Sequence, residues 1–347
     1  MATTRRRHGG SAGSGGSGPS SGSRGPKSTT RRGSSKGAGS RGKNAGRARS
    51  GSPRERDRAA TALFEPDPAI RARAHSSARH RASTTLRVAR RARRRALSIA
   101  AAPAILAGTV AGVIAGVVSG ALTAASVAAV VLVAVWLMTW WGAKPMVLRS
   151  VGAVEAGPHD LPRISNLVEG LCASMGLPSP RIYLVEDALP DAIAVGRHPG
   201  ASAIVLTTGL IEEMDPVQLE GVLAHELAHV KRGEASLAAV GAVVAAPVTM
   251  LVPGTGELLA HRLVGRGREF GADQSAVEVT RYPPGLAAAL AAMDGGLDAP
   301  RSAMLTGAVA RSTRWMWTVA PGGRVTGDEL IGELDAPYVR IAALQEY

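Results

Sequence analysis

Between residues 97 and 141 the chain runs LSIAAAPAILAGTVAGVIAGVVSGALTAASVAAVVLVAVWLMTWW, without one charged side chain. A single membrane helix needs only about 20 apolar residues, so this stretch predicts two spans that turn back within residues 119–126. Gly112, Gly116 and Gly120 predict a close approach of the two helices, and Trp136, Trp140 and Trp141 predict an interfacial belt. Past the hairpin the pattern breaks into shorter periods. Ile164, Leu167, Val168, Leu171 and Met175 recur at helical spacing, with Asp160 as the expected N-cap and Gly176 as the stop. A strand is expected over residues 181–186, then a turn-rich loop, then a second strand over Ser202–Thr207. Asp215, Pro216 and Gln218 supply an N-cap, a proline at the first helical position and a capping-box partner for the helix that follows.

Charge separates the first third of the chain from the rest. Residues 1–95 carry 25 Lys and Arg against 4 Asp and Glu, so the formal net charge of +14 divides into +21 there and −7 in the remainder. The early part is built from Gly, Ser, Arg and Ala with few apolar side chains, which predicts a disordered basic tail. Its basic stretch is too long for a signal peptide, and no short apolar region with a cleavage site follows. Arg90, Arg91, Arg93, Arg94 and Arg95 precede the first span, and Lys144 and Arg149 follow the second. This bias places both ends of the hairpin, and everything after it, on the cytoplasmic face of the cell membrane. The tail has no aromatic residue before Phe64 on which bases could stack and leads straight into a span, so anionic lipid head groups are favoured over nucleic acid as its partner. The single cysteine, Cys172, excludes an internal disulfide.

The expected fold class is therefore α+β and mainly helical. A tail occupies residues 1–95, a two-span membrane hairpin residues 96–142, and a domain with a small sheet residues 143–347.

Candidate chemistry lies in GVLAHELAHVKRGE, residues 221–234. Helical spacing sets His225 and His229 on one face, where both imidazoles can reach one ion at about 2.0–2.1 Å. Glu226 sits beside them, near enough to act on a water but not placed as a third ligand. Catalytic zinc usually has three protein ligands, and RGREFGADQSA downstream offers Glu269 for the third place. Asp273, one helical turn on, is placed to hydrogen-bond the outer nitrogen of a ligand histidine.

With these motifs in hand, residues 151–347 resemble the HtpX family of membrane-anchored zinc metalloproteases, a gluzincin group. The resemblance rests on the two spans, GVLAHELAHVKRGE, REFGADQSA and the strand before the HExxH helix. It implies a gluzincin-type domain with one zinc ion per chain, held by His225, His229 and Glu269, with Glu226 as general base. It also implies that an extended polypeptide substrate pairs with the Ser202–Thr207 strand, through Ala203, Ile204, Val205, Leu206 and Thr207, and that the enzyme serves membrane-protein quality control. Two stretches depart from the family pattern. DAIAVG places Asp191 where the family has a substrate-binding Asn and Ile193 where it has an aromatic, and LDAPYVRIAAL has Ala336 in place of a histidine, with a shorter gap to Arg340. His198 and Tyr338 are the candidate replacements for an oxyanion donor. The alternative function is a catalytically weak zinc-binding membrane protein that presents substrates or partners.

Residues 237–252, LAAVGAVVAAPVTMLV, are apolar enough for a third span. The expectation is nevertheless that they do not cross the bilayer once, because His229 before them and Glu269 after them must reach one ion.

Overall fold

A computed structural model describes residues 68–252, 255–265, 267–295, 308–319 and 336–347. The chain is mainly helical with one small mixed sheet. The disorder expected of residues 1–67 lies outside the described residues.

Helix α1 spans Pro68–Ser119, so it begins 28 residues before the expected tail boundary at residue 96. The physical reason is local: residues 68–95 are rich in Ala and Arg, both good helix formers, and continuing an existing apolar helix removes the cost of nucleation. Helix α2, Ala121–Ser150, returns antiparallel after a single hinge residue, Gly120, whose φ of 91° suits glycine. The turn thus falls at the start of the expected range, and Gly120 serves the turn instead of the helix contact. Gly112 does serve the contact, since a Cβ there would come within 2.8 Å of the Ala128 Cβ. The indole N–H of Trp136 donates to the Leu97 carbonyl at 3.3 Å, which fixes the tryptophan end of α2 beside the first apolar turn of α1.

Helix α3, Pro162–Met175, is capped from Leu161. Asp160 instead accepts a hydrogen bond from the Gly157 backbone at 2.7 Å and closes the preceding turn. Gly176, at φ 67°, ends the helix as expected. The sheet consists of β1 (Val154–Ala156), β2 (Arg181–Val185), β3 (Ala192–Gly196) and β4 (Ser202–Thr207), in the order β1-β2-β4-β3. Strand β4 pairs with β2 in parallel on one side and with β3 antiparallel on the other.

That order corrects the expected substrate strand. Both edges of β4 are occupied and all six of its residues are buried, so Ala203, Ile204, Val205, Leu206 and Thr207 cannot add a further strand. Among the described residues, the edge strand that packs against the HExxH helix is β3. Thr207 N–H donates to the Asp191 carbonyl, which makes Asp191, Ile193 and Val195 the β4-facing backbone positions and turns those of Ala192, Ala194 and Gly196 outward.

After the short α4 (Thr208–Glu213), α5 (Pro216–Lys231) opens with the expected capping box. Asp215 accepts from the Val217 and Gln218 backbones, and Gln218 reaches back to the Asp215 N–H. Gly233, at φ 71°, breaks the chain into α6 (Glu234–Leu251), and α7 (Thr255–Val264) packs on α6. Then come α8 (Arg268–Thr280), α9 (Pro283–Gly295), α10 (Ala308–Thr313) and α11 (Pro337–Gln345). By length and composition three helical stretches could cross a membrane: Ser83–Ser119, Ala121–Ser150 and Glu234–Leu251. The third differs from the others, with 67% of its most apolar window buried inside the protein against 17% and 0%.

Candidate metal centre

Helices α5 and α8 pack against each other and carry the three groups that converge. His225 Nε2 lies 3.2 Å from His229 Nε2, and Glu269 Oε2 lies 3.1 Å and 3.3 Å from them. All three residues are buried, and together they form the group suited to hold a metal ion among the described residues.

The outer face of each imidazole is pinned. Asp273 Oδ1 stands 2.7 Å from His225 Nδ1, as its spacing predicted, and Glu234 Oε2 stands 2.9 Å from His229 Nδ1. A carboxylate on each Nδ1 keeps the proton there and leaves the Nε2 lone pair facing inward. With both Nε2 atoms deprotonated, three acceptor atoms would meet at 3.1–3.3 Å, an arrangement that a proton or a metal cation between them must relieve. Ligand atoms about 2.0–2.1 Å from a tetrahedral zinc are themselves about 3.3 Å apart, so the residues present fit that ion. Charge tells the same story. Burial on its own would lower the His229 pKa, but Glu269 and Glu234 outweigh it and push it up to about 10, so a proton is held where a metal cation would otherwise balance the carboxylates. His225 is likewise raised, chiefly by Asp273 against burial, and Glu269 is held well below the usual carboxylate range by His229 and Arg268 in spite of its burial.

Glu226 is buried beside this triangle, with Oε1 4.0 Å from His225 Nε2. Oε1 accepts a hydrogen bond from the Thr318 hydroxyl at 2.8 Å, whereas Oε2 is buried with no hydrogen-bond partner among the described residues. Burial raises its pKa above the ordinary value, partly offset by the two histidines. A carboxylate with one oriented oxygen and one free oxygen is equipped to take up a proton.

Five contributors were not anticipated in these roles. Glu234 follows the αL break at Gly233, which turns its side chain back on His229, and Arg232 Nε holds its other oxygen at 2.9 Å. Arg268 donates to Glu269 Oε1 at 2.7 Å. Arg340, 1% exposed, grips Asp273 through two hydrogen bonds of 2.7 and 2.8 Å and donates to the Thr318 carbonyl at 2.7 Å. Thr318 also donates its backbone N–H to the Ala192 carbonyl, so residues 317–319 lie against the outer edge of β3. A sequence signal existed for Arg340, which shares a helical face with Leu344 in an otherwise apolar segment, but none identified its partner.

Asp191 is buried, and its Oδ1 accepts from the Ala192 and Val319 backbones, so it anchors residues 317–319 and does not face an open groove. Burial lifts its pKa well above the usual range, with Glu226 adding to the effect. His198 and Tyr338 are both exposed.

Residues 158–294 match Peptidase family M48. The chain is similar to proteins named Protease HtpX homolog from Dictyoglomus thermophilum and Dictyoglomus turgidum. Each is 33% identical over 177 residues, covering 42% of this chain and 58% of the relative. This chain therefore spans less than two thirds of the length of those relatives. No solved structure gives a significant match. Over residues 158–294 the similarity is therefore to Peptidase family M48, and residues 225–273, which hold the triangle, lie inside that segment.

Proposed function

We propose that the protein is a membrane-embedded zinc endopeptidase that hydrolyses peptide bonds on the cytoplasmic side. The observation that carries this reading is the three-acceptor triangle of His225, His229 and Glu269 beside a buried Glu226 with one unpartnered oxygen. A zinc ion held by the three would polarise the scissile carbonyl and bring a water pKa down towards about 7. Glu226 takes a proton from water and passes it to the leaving amine. Asp273 and Glu234 hold the two imidazoles in the ligating tautomer, and Arg340 and Arg268 steady the carboxylates. An extended substrate would add to the outer edge of β3, where the Ala194 N–H and C=O point away from β4. Main-chain pairing of this kind implies broad sequence tolerance. The role implied by the family resemblance, quality control of membrane proteins, is part of this proposal. So is the partition of the chain into a basic tail on anionic head groups, a membrane hairpin and a catalytic domain.

Casein incubated with the detergent-solubilised full chain should yield internal fragments with new termini. Intact casein beside zinc-loaded protein would favour the second reading, a weakly active zinc protein that presents substrates. That reading has its own observation, since residues 317–319 already occupy the Ala192 end of the β3 edge.

The pH dependence of metal binding follows from the histidines. His229, raised to about 10, holds a proton at neutral pH that a metal must expel, and His225 is raised in the same direction, so affinity increases as pH rises. Each displaced proton contributes about tenfold per pH unit, so competition with a chelating dye should show at least about 100-fold tighter zinc binding at pH 8 than at pH 6. Equal affinities would contradict the assignment of these imidazoles.

Topology is tested separately. Helix α6 lies between His229 and Glu269 in sequence, and a single crossing would strand these on opposite faces of the bilayer. Lys231→Cys and Arg281→Cys, on either side of α6 and α7, should label from the same side of sealed vesicles. Labelling from opposite sides would mean that α6 spans.

A further inference from the structure

A cleft of about 790 Å³ lies between the middle of α1, where its apolar run begins, and the end of α7, and none of its described lining residues belongs to the metal centre. Its walls carry six arginines: Arg87, Arg90, Arg91, Arg94 and Arg95 from α1, and Arg262 from α7. The five on α1 recur at steps of three and four and so share one face, while Ala92, Ala96 and Ile99 turn inward to the core. Arg93, on the same stretch, does not line the cleft. Among the described residues no acidic side chain lines it, and none of the six guanidinium groups pairs with a carboxylate. Six like charges around one cavity repel one another, and an anion between them would remove that cost.

The remaining lining residues say which anion. Ser98, Ile99 and Leu263 continue the cleft on the side where α1 becomes charge-free, so arginines and apolar side chains meet in one cavity. Trp136 of α2 bonds to Leu97 at that same level, which marks it as the polar boundary of the hairpin. A phosphate ester with acyl chains attached meets both demands, and a free phosphate only the first. Among the lining residues there is no aromatic ring on which a nucleotide base could stack.

We infer that this cleft is a binding site for the head group of an anionic phospholipid, clamped between α1 and Arg262. The inference rests on α1 and α2 spanning a bilayer and is independent of peptidase activity. The full chain in neutral detergent, titrated with dioleoylphosphatidylglycerol, with dioleoylphosphatidylcholine or with inorganic phosphate and read by native mass spectrometry, tests it. Phosphatidylglycerol should bind at least about fivefold more tightly than phosphatidylcholine, and Arg262→Gln or Arg94→Gln should each weaken it about fivefold, the scale of one basic residue at an anionic lipid surface. Arg93→Gln makes the same change in charge outside the cleft and should weaken binding less than about twofold. Equal losses for Arg93→Gln and Arg262→Gln would reduce the effect to diffuse attraction by α1 and overturn the site. Inorganic phosphate displacing the lipid at equal concentration would overturn the choice of a lipid, and indifference between the two lipids would overturn both. Unchanged melting temperature without lipid confirms that each variant is folded.

Discussion

Glu226→Gln should keep its metal and lose at least about 10²-fold in peptide hydrolysis, the lower end of what a positioned general base contributes. The amide fills the same space and its oxygen can still accept the hydrogen bond from Thr318, so the helix and the ligand triangle have no cause to move. What the variant lacks is the capacity to take a proton, and the buried, unpartnered Oε2 is the atom placed to do so. The pH profile of the parent carries the same signature. Burial raises the Glu226 pKa, and only the deprotonated form acts as base, so activity should climb with pH through a midpoint above the ordinary carboxylate range. Metal analysis and a casein assay on the same preparation decide the matter. Hydrolysis within a few-fold of the parent would remove Glu226 from the mechanism.

The second large effect is on stability. Arg340→Leu should lower thermal stability by about 3–5 kcal/mol, the cost of breaking a buried ion pair from one side. Asp273 is buried, yet its pKa is held at about 2; burial pushes it up, and Arg340 and His225 more than reverse that. Removing Arg340 leaves the carboxylate buried with only the histidine and frees the Thr318 carbonyl that ties residues 317–319 to α11. Arg340→Lys keeps the charge without the two-pronged grip and should fall between parent and Arg340→Leu. The linkage has a definite sign. A depressed folded-state pKa means that the Asp273 contribution is present above the unfolded value near 3.9 and is lost as pH falls towards about 2. A parent and an Arg340→Leu variant that melt within a degree or two of each other would show that this pair does not hold the centre together.

The features legible in the sequence were those fixed by local chemistry. The capping box at Asp215 and Gln218, the αL stop at Gly176, the charge-free hairpin and the facing pair His225 and His229 each need only a few neighbouring residues. The features that escaped it depend on distant pairing. Strand register decides that β3 and not β4 owns the free edge, and no periodicity within Ser202–Thr207 reveals that both of its sides are taken. Thr318 reaches Glu226 across 92 positions and Arg340 reaches Asp273 across 67, so neither partner could be read from local spacing. Glu234 was nearer at hand, five residues beyond His229, but its return to the imidazole depends on the positive φ of Gly233. Helix α1 extends into the tail for the opposite reason. Composition marked residues 68–95 as too polar to pack, whereas Ala and Arg carry a helix onward once the apolar segment has nucleated it.

The central claim is that three buried side chains hold a zinc ion on which peptide hydrolysis depends. It is tested most directly by casein cleavage with the detergent-solubilised full chain, assayed as purified, after chelator, and after chelator followed by equimolar zinc, with Glu269→Ala carried through in parallel. The account predicts cleavage that chelator abolishes and zinc restores in the parent, with neither zinc retention nor cleavage in Glu269→Ala. Cleavage that survives complete removal of the metal, or a Glu269→Ala protein that keeps zinc with unchanged stoichiometry and affinity, would contradict it.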